Sequence, residues 1–292
     1  MVKNNEISFK KKNKRNNMNP LSKILFILVM LATVVTFLSL IFIVGYILIK
    51  GLPHISKDLF SMTYTSENSS IMPALINTIV ITALSLLIAV PLGIFSSIYL
   101  VEYASRGNKL VKIIRLTVET LAGIPSIVYG LFGLLFFVTT LGWGYSILAG
   151  TFTLSIMILP LIMRTTEEAL KSVPDSFREG SFGLGAGKLR TVFKIVLPSA
   201  VPGILAGVIL AIGRIVGETA ALIYTAGTVA EIPKGILSSG RTLSVHMYSL
   251  ASEGLHMDKA YATSVILLVI VVIINFISAY VAKKIGKGKV NG

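Results

Sequence analysis

Gly183 to Lys188 reads GLGAGK, a glycine-rich run closed by a lysine, the type of segment whose backbone amides and ammonium group can cradle phosphate. Spacing decides against that use. A nucleotide-binding P-loop needs G-x-x-x-x-G-K-[ST], the last hydroxyl serving Mg²⁺. Here Leu189 follows Lys188, and Phe182 stands where the first glycine would be. A dinucleotide loop needs G-x-G-x-x-G between a strand and a helix. Gly183, Gly185 and Gly187 give G-x-G-x-G, with no strand pattern before them. The glycines therefore call for a backbone explanation.

Other catalytic chemistry finds no foothold. The chain has no cysteine, which excludes disulfides, thiolate metal sites and thiol nucleophiles. Its three histidines, His54, His246 and His256, form no H-E-x-x-H motif, and there is no G-x-S-x-G elbow. His246 has Leu250 at i+4, so it lacks a second ligand one turn away. No catalytic and no metal-binding residue is assigned.

The charges that do stand out lie in apolar surroundings. Arg214 falls near the centre of the apolar run 196–226, with Glu218 one turn later and Thr219 beside it. A charge at the centre of a membrane helix costs at least about 2.5–3.5 kcal/mol, so its face should meet protein or water. That face reads Gly207, Leu210, Ala211, Arg214, Glu218, Ala221 and Thr225, mostly small or polar. Two readings stand side by side. Arg214 and Glu218 form an ion pair that closes a bundle, or Arg214 lines an anion path and Glu218 keeps the anion from being trapped. Glu119 is a further intramembrane charge, for the path or for a pair with Arg115 at i, i+4.

The elements that must position these groups are membrane spans. Hydrophobic residues make up 54% of the 292 and charged residues 14%, against about 25% charged in soluble domains. Mean hydropathy is +0.82. Apolar runs long enough to cross a bilayer occur at 23–49, 73–101, 111–140, 146–163, 196–226 and 262–282, which predicts six transmembrane helices in an all-α integral membrane protein. The first run is too long for a signal-peptide core and reads as a retained anchor. Lysine and arginine crowd the tail before it (Lys3 to Lys23), the connection Arg106–Lys112, the connection Arg164–Lys194 and the end Lys283–Lys289. The opposite side carries only Lys50, Lys57, Lys234, Arg241 and Lys259, so both termini are expected in the cytoplasm. The net charge of +14 is then a topology signal, not a nucleic-acid footprint, and the KKNKRNN tail is a solvated segment within reach of membrane lipid.

Outside the membrane, GWGY at Gly142–Tyr145 predicts a tight turn, and 227–261 forms a long external stretch. Within that stretch Leu243, Met247 and Leu250 recur at i, i+4 and i+7, which predicts a short amphipathic helix at the outer surface. The cytoplasmic connection 164–194 is long for a helix–helix link but is not composed like a linker. Val173-Pro174-Asp175 is a helix start, with proline and an acidic residue in the first turn. Phe177, Ser181 and Leu184 then share a face, and Gly185 or Gly187 can take the left-handed conformation that stops the helix.

That connection resembles a known family. Permeases of ATP-driven, binding-protein-dependent importers carry E-A-A-x3-G-x9-I-x-L-P there. Glu179, Gly185, Ile195, Leu197 and Pro198 fit every fixed spacing, with Gly180 and Ser181 in place of the two alanines. At usages of roughly 5–9% per residue, a chance fit at a given start is on the order of one in a million. Glu119–Gly133 (ETLAGIPSIVYGLFG), Gly213–Leu222 (GRIVGETAAL) and Leu243–Gly254 (LSVHMYSLASEG) resemble the phosphate-import members, over roughly residues 70–285. These members usually have proline where Ala221 stands, so a straighter helix is expected there.

The resemblance implies a type I ABC importer permease fold in a bacterial cytoplasmic membrane. It divides the chain into a basic cytoplasmic tail, 1–22, a first anchor, 23–49, and a permease domain, 70–285, with its coupling loop at 164–194. Arg178, Glu179, Gly180, Ser181 and Gly185 would couple to a homodimeric ATPase that holds the ATP and Mg²⁺; this chain itself would bind no cofactor. A second, related permease would complete the path, and an extracytoplasmic phosphate-binding protein would deliver the anion. Arg214, Glu218 and Thr219 would line the path. The alternatives are a permease for another oxyanion, sulfate or molybdate; the partner permease of the phosphate system; and, more distantly, an ATPase-independent channel or secondary transporter.

Overall fold

A computed structural model describes residues 19–105 and 107–287. The basic segment KKNKRNN, Arg106 and Lys289 lie outside the described residues. Among those residues all regular structure is helical. Helix α1 runs Pro20–Gly51, α2 Met72–Ile98, α3 Lys109–Ala122, α4 Ser126–Gly133 and α5 Ile147–Lys171. They are followed by α6 Asp175–Gly183, α7 Lys188–Thr191, α8 Leu197–Val216, α9 Ala220–Ile223, α10 Leu243–Glu253 and α11 Met257–Lys287. Widened π turns prolong α2 through Tyr99–Tyr103 and α4 through Leu134–Thr140, and Val192–Val196 joins α7 to α8.

The chain divides into two compact units, 1–49 and 50–292. In the first, α1 starts with proline at its first position, where the missing N–H costs nothing. It is apolar and exposed almost all round, and Thr33, Thr36 and Ser39 donate their hydroxyls to the carbonyls of Val29, Ala32 and Val35, each at 2.8 Å. A helix in hydrocarbon must satisfy its polar groups internally, and these three hydroxyls do so.

In the second unit α5 is the central post, buried along most of its apolar length between α2 and α8. Ile81, Leu154, Ile158, Ile162, Ala211 and Ile215 form the heart of the core. Close approach depends on small residues and hydroxyls. Ser97 Oγ donates to Met163 O at 2.8 Å, and Ser85 Oγ to Thr151 O at 3.2 Å. Gly203 and Gly207 on α8 meet Ala169 and Thr165 of α5 with no space for a side chain, whereas Gly213 and Gly217 face no neighbouring helix closely.

Two expected spans are not continuous. Four single helices of this unit are long and apolar enough to cross a membrane: Met72–Tyr103, Ile147–Lys171, Lys188–Val216 and Met257–Ile277. The run 111–140 is instead two helices, Lys109–Ala122 and Ser126–Thr140, bent by 102° at Gly123-Ile124-Pro125. Pro125 caps α4 and cannot continue α3, because it lacks an N–H and restricts Ile124 to extended backbone. The run 196–226 ends as a helix at Val216. The GWGY turn forms with both of its glycines left-handed, Gly142 at φ +68° and Gly144 at φ +63°.

The amphipathic helix in 227–261 is present as α10, with one side exposed and the rest set into the fold. Leu243 to His246 and Ser249 and Leu250 are buried, and the helix packs against α11, α2 and α9. The 59–71 segment covers the apolar face at Leu243 and His246, whereas Tyr248 and Ala251 to Glu253 stay exposed. His246 Nε2 is 3.2 Å from Ser69 O, and the Tyr64 ring meets the imidazole edge-on at 6.0 Å. Left-handed Gly254, φ +71°, ends the helix.

Candidate functional sites: a clamped helical knob and an unpaired arginine

The connection after α5 builds a short helix fixed at its base and open at its tip. Pro174 caps α6 and Asp175 occupies its first turn. The end is a Schellman closure: Gly185 N–H donates to Phe182 O at 2.9 Å and Ala186 N–H to Ser181 O at 3.1 Å. Gly185 has φ +81°, so it is the glycine that supplies the left-handed residue, whereas Gly187 stays at φ −73°. That answers the glycine-rich run: it is a helix stop and a turn.

Arg178 holds this helix down. Its Nε and Nη2 donate to Glu102 Oε1 at 3.2 and 2.7 Å, Nη1 to Val173 O at 2.8 Å and Asp175 Oδ1 at 3.2 Å, and Nη2 also to Leu170 O at 3.0 Å. All five guanidinium donors are thus used. The pair is largely buried, with 15% of the Arg178 and 8% of the Glu102 side chain exposed. The Glu102 hydrogen bond, more than any other influence, raises the Arg178 pKa above its ordinary value. Glu102 sits in the π turn ending α2, so α6 is tied to α2 and to the end of α5 at once. The sequence reading found Arg178 but missed Glu102, 76 residues away.

Ser181 is buried rather than sharing the open face, its Oγ 2.8 Å from Thr191 Oγ1, so it anchors α6 to α7. The open face carries Phe177, Glu179, Gly180, Phe182 and Leu184, the last 91% exposed. A groove of about 500 Å³ runs beside it, between α6 and Lys194-Ile195.

The second site departs from the sequence expectation. Arg214 lies in the last turn of α8, not mid-span, and Glu218 follows the break. The two do not share a helical face and form no ion pair. Glu218 is buried, its Oε1 accepting from Ala221 N–H at 3.0 Å to cap α9, and its carbonyl accepting from Ser244 Oγ at 2.6 Å. Thr219 stands at the break, φ −121°, its Oγ1 3.4 Å from Gly217 O. Arg214 is exposed and has no ion pair or hydrogen bond among the described residues; its charge acts on the Tyr129 hydroxyl of α4. The stripe splits accordingly: Gly207, Ala211, Ala221 and Thr225 face the core, Leu210 and Arg214 do not.

Nor is the helix straighter for want of the proline. Ala221 is fully buried, and a Cβ on Gly130 of α4 would come within 2.8 Å of its Cα. The break sits four residues earlier, at Gly217, and a proline at 221 would remove the N–H that holds Glu218. Glu119 is exposed and does not pair with Arg115, which reaches Glu167 at 2.7 Å and Leu100 O at 3.3 Å. Glu119 lines a cleft of about 260 Å³ with Arg115, Arg164 and Glu167. Tyr129 Oη donates to Leu121 O at 2.8 Å, tying the two arms of the α3–α4 elbow.

The chain resembles ABC transporter permeases in sequence and fold. A probable ABC transporter permease protein of Bacillus subtilis is 36% identical over 83% of this chain and 88% of its own. The phosphate transport system permease protein PstA 1 of Mycobacterium tuberculosis is 35% identical over 71% of this chain and 69% of its own. The Mycobacterium leprae PstA is 42% identical over 53% of this chain and 50% of its own. A bacterial alginate ABC transporter, solved in complex with a pentasaccharide-bound periplasmic protein, has the same fold, with TM-score 0.67 at 18% identity over 90% of this chain and 95% of that one. An inward-facing MetNI methionine ABC transporter aligns with TM-score 0.57 at 21% identity over 74% of this chain and 94% of that one. Such permeases are membrane-embedded transport subunits rather than enzymes. Residues 89–287 match the binding-protein-dependent transport system inner membrane component, and the chain belongs to that family of ABC importer permeases.

Proposed function

We propose that this chain is the membrane subunit of an ATP-driven importer of inorganic phosphate, with both termini in the cytoplasm. A second, related permease shares the path, two copies of an ATPase receive α6, and an extracytoplasmic phosphate-binding protein docks on the outer face near 227–261. The observation that carries the mechanism is the knob: exposed Phe177, Phe182 and Leu184 on a helix whose base is held by five hydrogen bonds from Arg178. An exposed apolar patch with a rigid base suits a partner that must push without the contact yielding. Motion of the ATPases would pass through α6 into α2 and α5 and switch access. The cargo rests on the phosphate relatives and on Arg214, an uncompensated cation fit to attract an anion.

Uptake of labelled phosphate, competed by sulfate or molybdate in cells with and without this chain, tests the reading. Chain-dependent uptake that resists both competitors is expected. Uptake abolished by equimolar sulfate or molybdate would reassign the cargo.

A further inference from the structure

A cavity of about 800 Å³ opens between the end of α2, the start of α3 and the base of α6. Among the described residues its wall carries five cations, Lys112, Arg115, Lys171, Arg178 and Lys188, against two carboxylates, Glu102 and Asp175. Arg178 is spent on both acids, and Arg115 and Lys171 share Glu167 behind the wall, at 2.7 and 3.0 Å. Lys112 has no ion pair among the described residues, and Lys188 only lies over the Tyr103 ring, 5.1 Å from its centre. Two positive charges therefore remain without counter-ions.

An apolar groove of about 380 Å³ adjoins the cavity and shares Leu100 with it; Phe95, Tyr99, Ile114 and Met163 line it. Phe95 and Tyr99 are 60% and 52% exposed. Helix α3, turned 102° from α4, exposes Leu110, Ile113 and Leu116 between Lys109, Lys112 and Arg115. A helix so composed suits the membrane interface.

We propose that cavity and groove together bind an anionic phospholipid, its phosphodiester against Lys112 and Lys188 and an acyl chain along Phe95 and Tyr99. Basic pockets between helices on the cytoplasmic side suit such headgroups. A soluble phosphate compound would share the headgroup chemistry but would have no use for the groove. The lipid bridges α3, the end of α2 and the start of α7, which Thr191 ties to Ser181 of α6, and so braces the knob. The proposal rests on the membrane-subunit reading for which side faces the cytoplasm, and not on the cargo.

The test uses the assembled transporter in nanodiscs of phosphatidylcholine with one-fifth phosphatidylglycerol, and native mass spectrometry counts the retained phosphatidylglycerol. With each cation contributing roughly fivefold, Lys112→Gln/Lys188→Gln is expected to lower retention by roughly twentyfold. Phe95→Asn/Tyr99→Asn, which leaves every cation in place, is expected to lower it as well. Equal retention in wild type and both variants would overturn the proposal. So would displacement of the lipid by millimolar inorganic phosphate, which would assign the cavity to a soluble anion. The readout requires no transport, so failure to import phosphate would leave this result standing.

Discussion

Arg178 Nη2 and Glu102 Oε1 stand 2.7 Å apart and join α6 to the end of α2 across 76 residues of sequence. Removing one member of a buried, fully hydrogen-bonded pair leaves the other charge stranded, at a cost of about 3–5 kcal/mol. Glu102→Ala is therefore expected to lower the thermal midpoint clearly. Glu102→Gln keeps the shape and loses the charge, and should fall between. The functional prediction is sharper: in the assembled transporter, Glu102→Gln should retain basal ATP hydrolysis while uptake per ATP falls. Unchanged uptake per ATP would mean that the clamp carries no motion.

The three glycines of GLGAGK separate by conformation. Gly185 at φ +81° is strained by any side chain, so Gly185→Ala should cost about 1 kcal/mol or more. Gly183 is helical with open space around it, and Gly183→Ala should stabilise by roughly 0.5–1 kcal/mol. Chemical denaturation of the two variants should move in opposite directions; a shift of the same sign would contradict the helix-stop reading.

What could be read from the chain follows from how far each interaction reaches. The knob was legible because its start, Pro174-Asp175, and its stop, Gly185, are local signals confined to one short helix. Its anchor was not, since nothing near Arg178 points to Glu102, and neither does Arg115, with Glu119 one turn away, point to Glu167. The end of α8 was hidden for another reason: Gly213 and Gly217 are tolerated in membrane helices, so apolar composition carries the eye past Val216. Helix α10 was legible along the chain, but not what covers it, because periodicity marks the apolar face at Leu243 without pointing to the 59–71 segment that packs on it.

Arg214 and Glu218, expected on one helical face, now divide into different tasks. Arg214 is exposed and unpaired, so Arg214→Gln should leave the thermal midpoint within about 1 °C, the surface-substitution range. Phosphate uptake at equal membrane abundance should nevertheless drop at least about tenfold, the loss of roughly 1.4 kcal/mol of anion attraction. Glu218→Ala removes the cap on buried Ala221 N–H and should cost about 1–2 kcal/mol of stability. A structural Arg214 would show the reverse pattern, with stability lost and uptake retained.

His246 offers a pH signature of the contact between α10 and the 59–71 segment. Burial first, then the Arg241 charge, push its pKa down from 6.5 to about 3, only partly opposed by the hydrogen bond to Ser69 O. Arg241 stacks over Tyr64, 4.7 Å from the ring centre, and Tyr64 also meets the imidazole. The folded state therefore binds fewer protons than the unfolded one between these two values. Stability from neutral His246 is fully present above pH 6.5 and declines as the pH falls towards 3, by about 1.4 kcal/mol per unit. His246→Gln can still reach Ser69 O but cannot titrate. Unfolding measured from pH 7 to pH 4 should show wild type losing stability faster than the variant as acid is added. Parallel curves would mean that His246 is not held neutral, and that the buried contact among α10, Tyr64 and Ser69 opens before the protein unfolds.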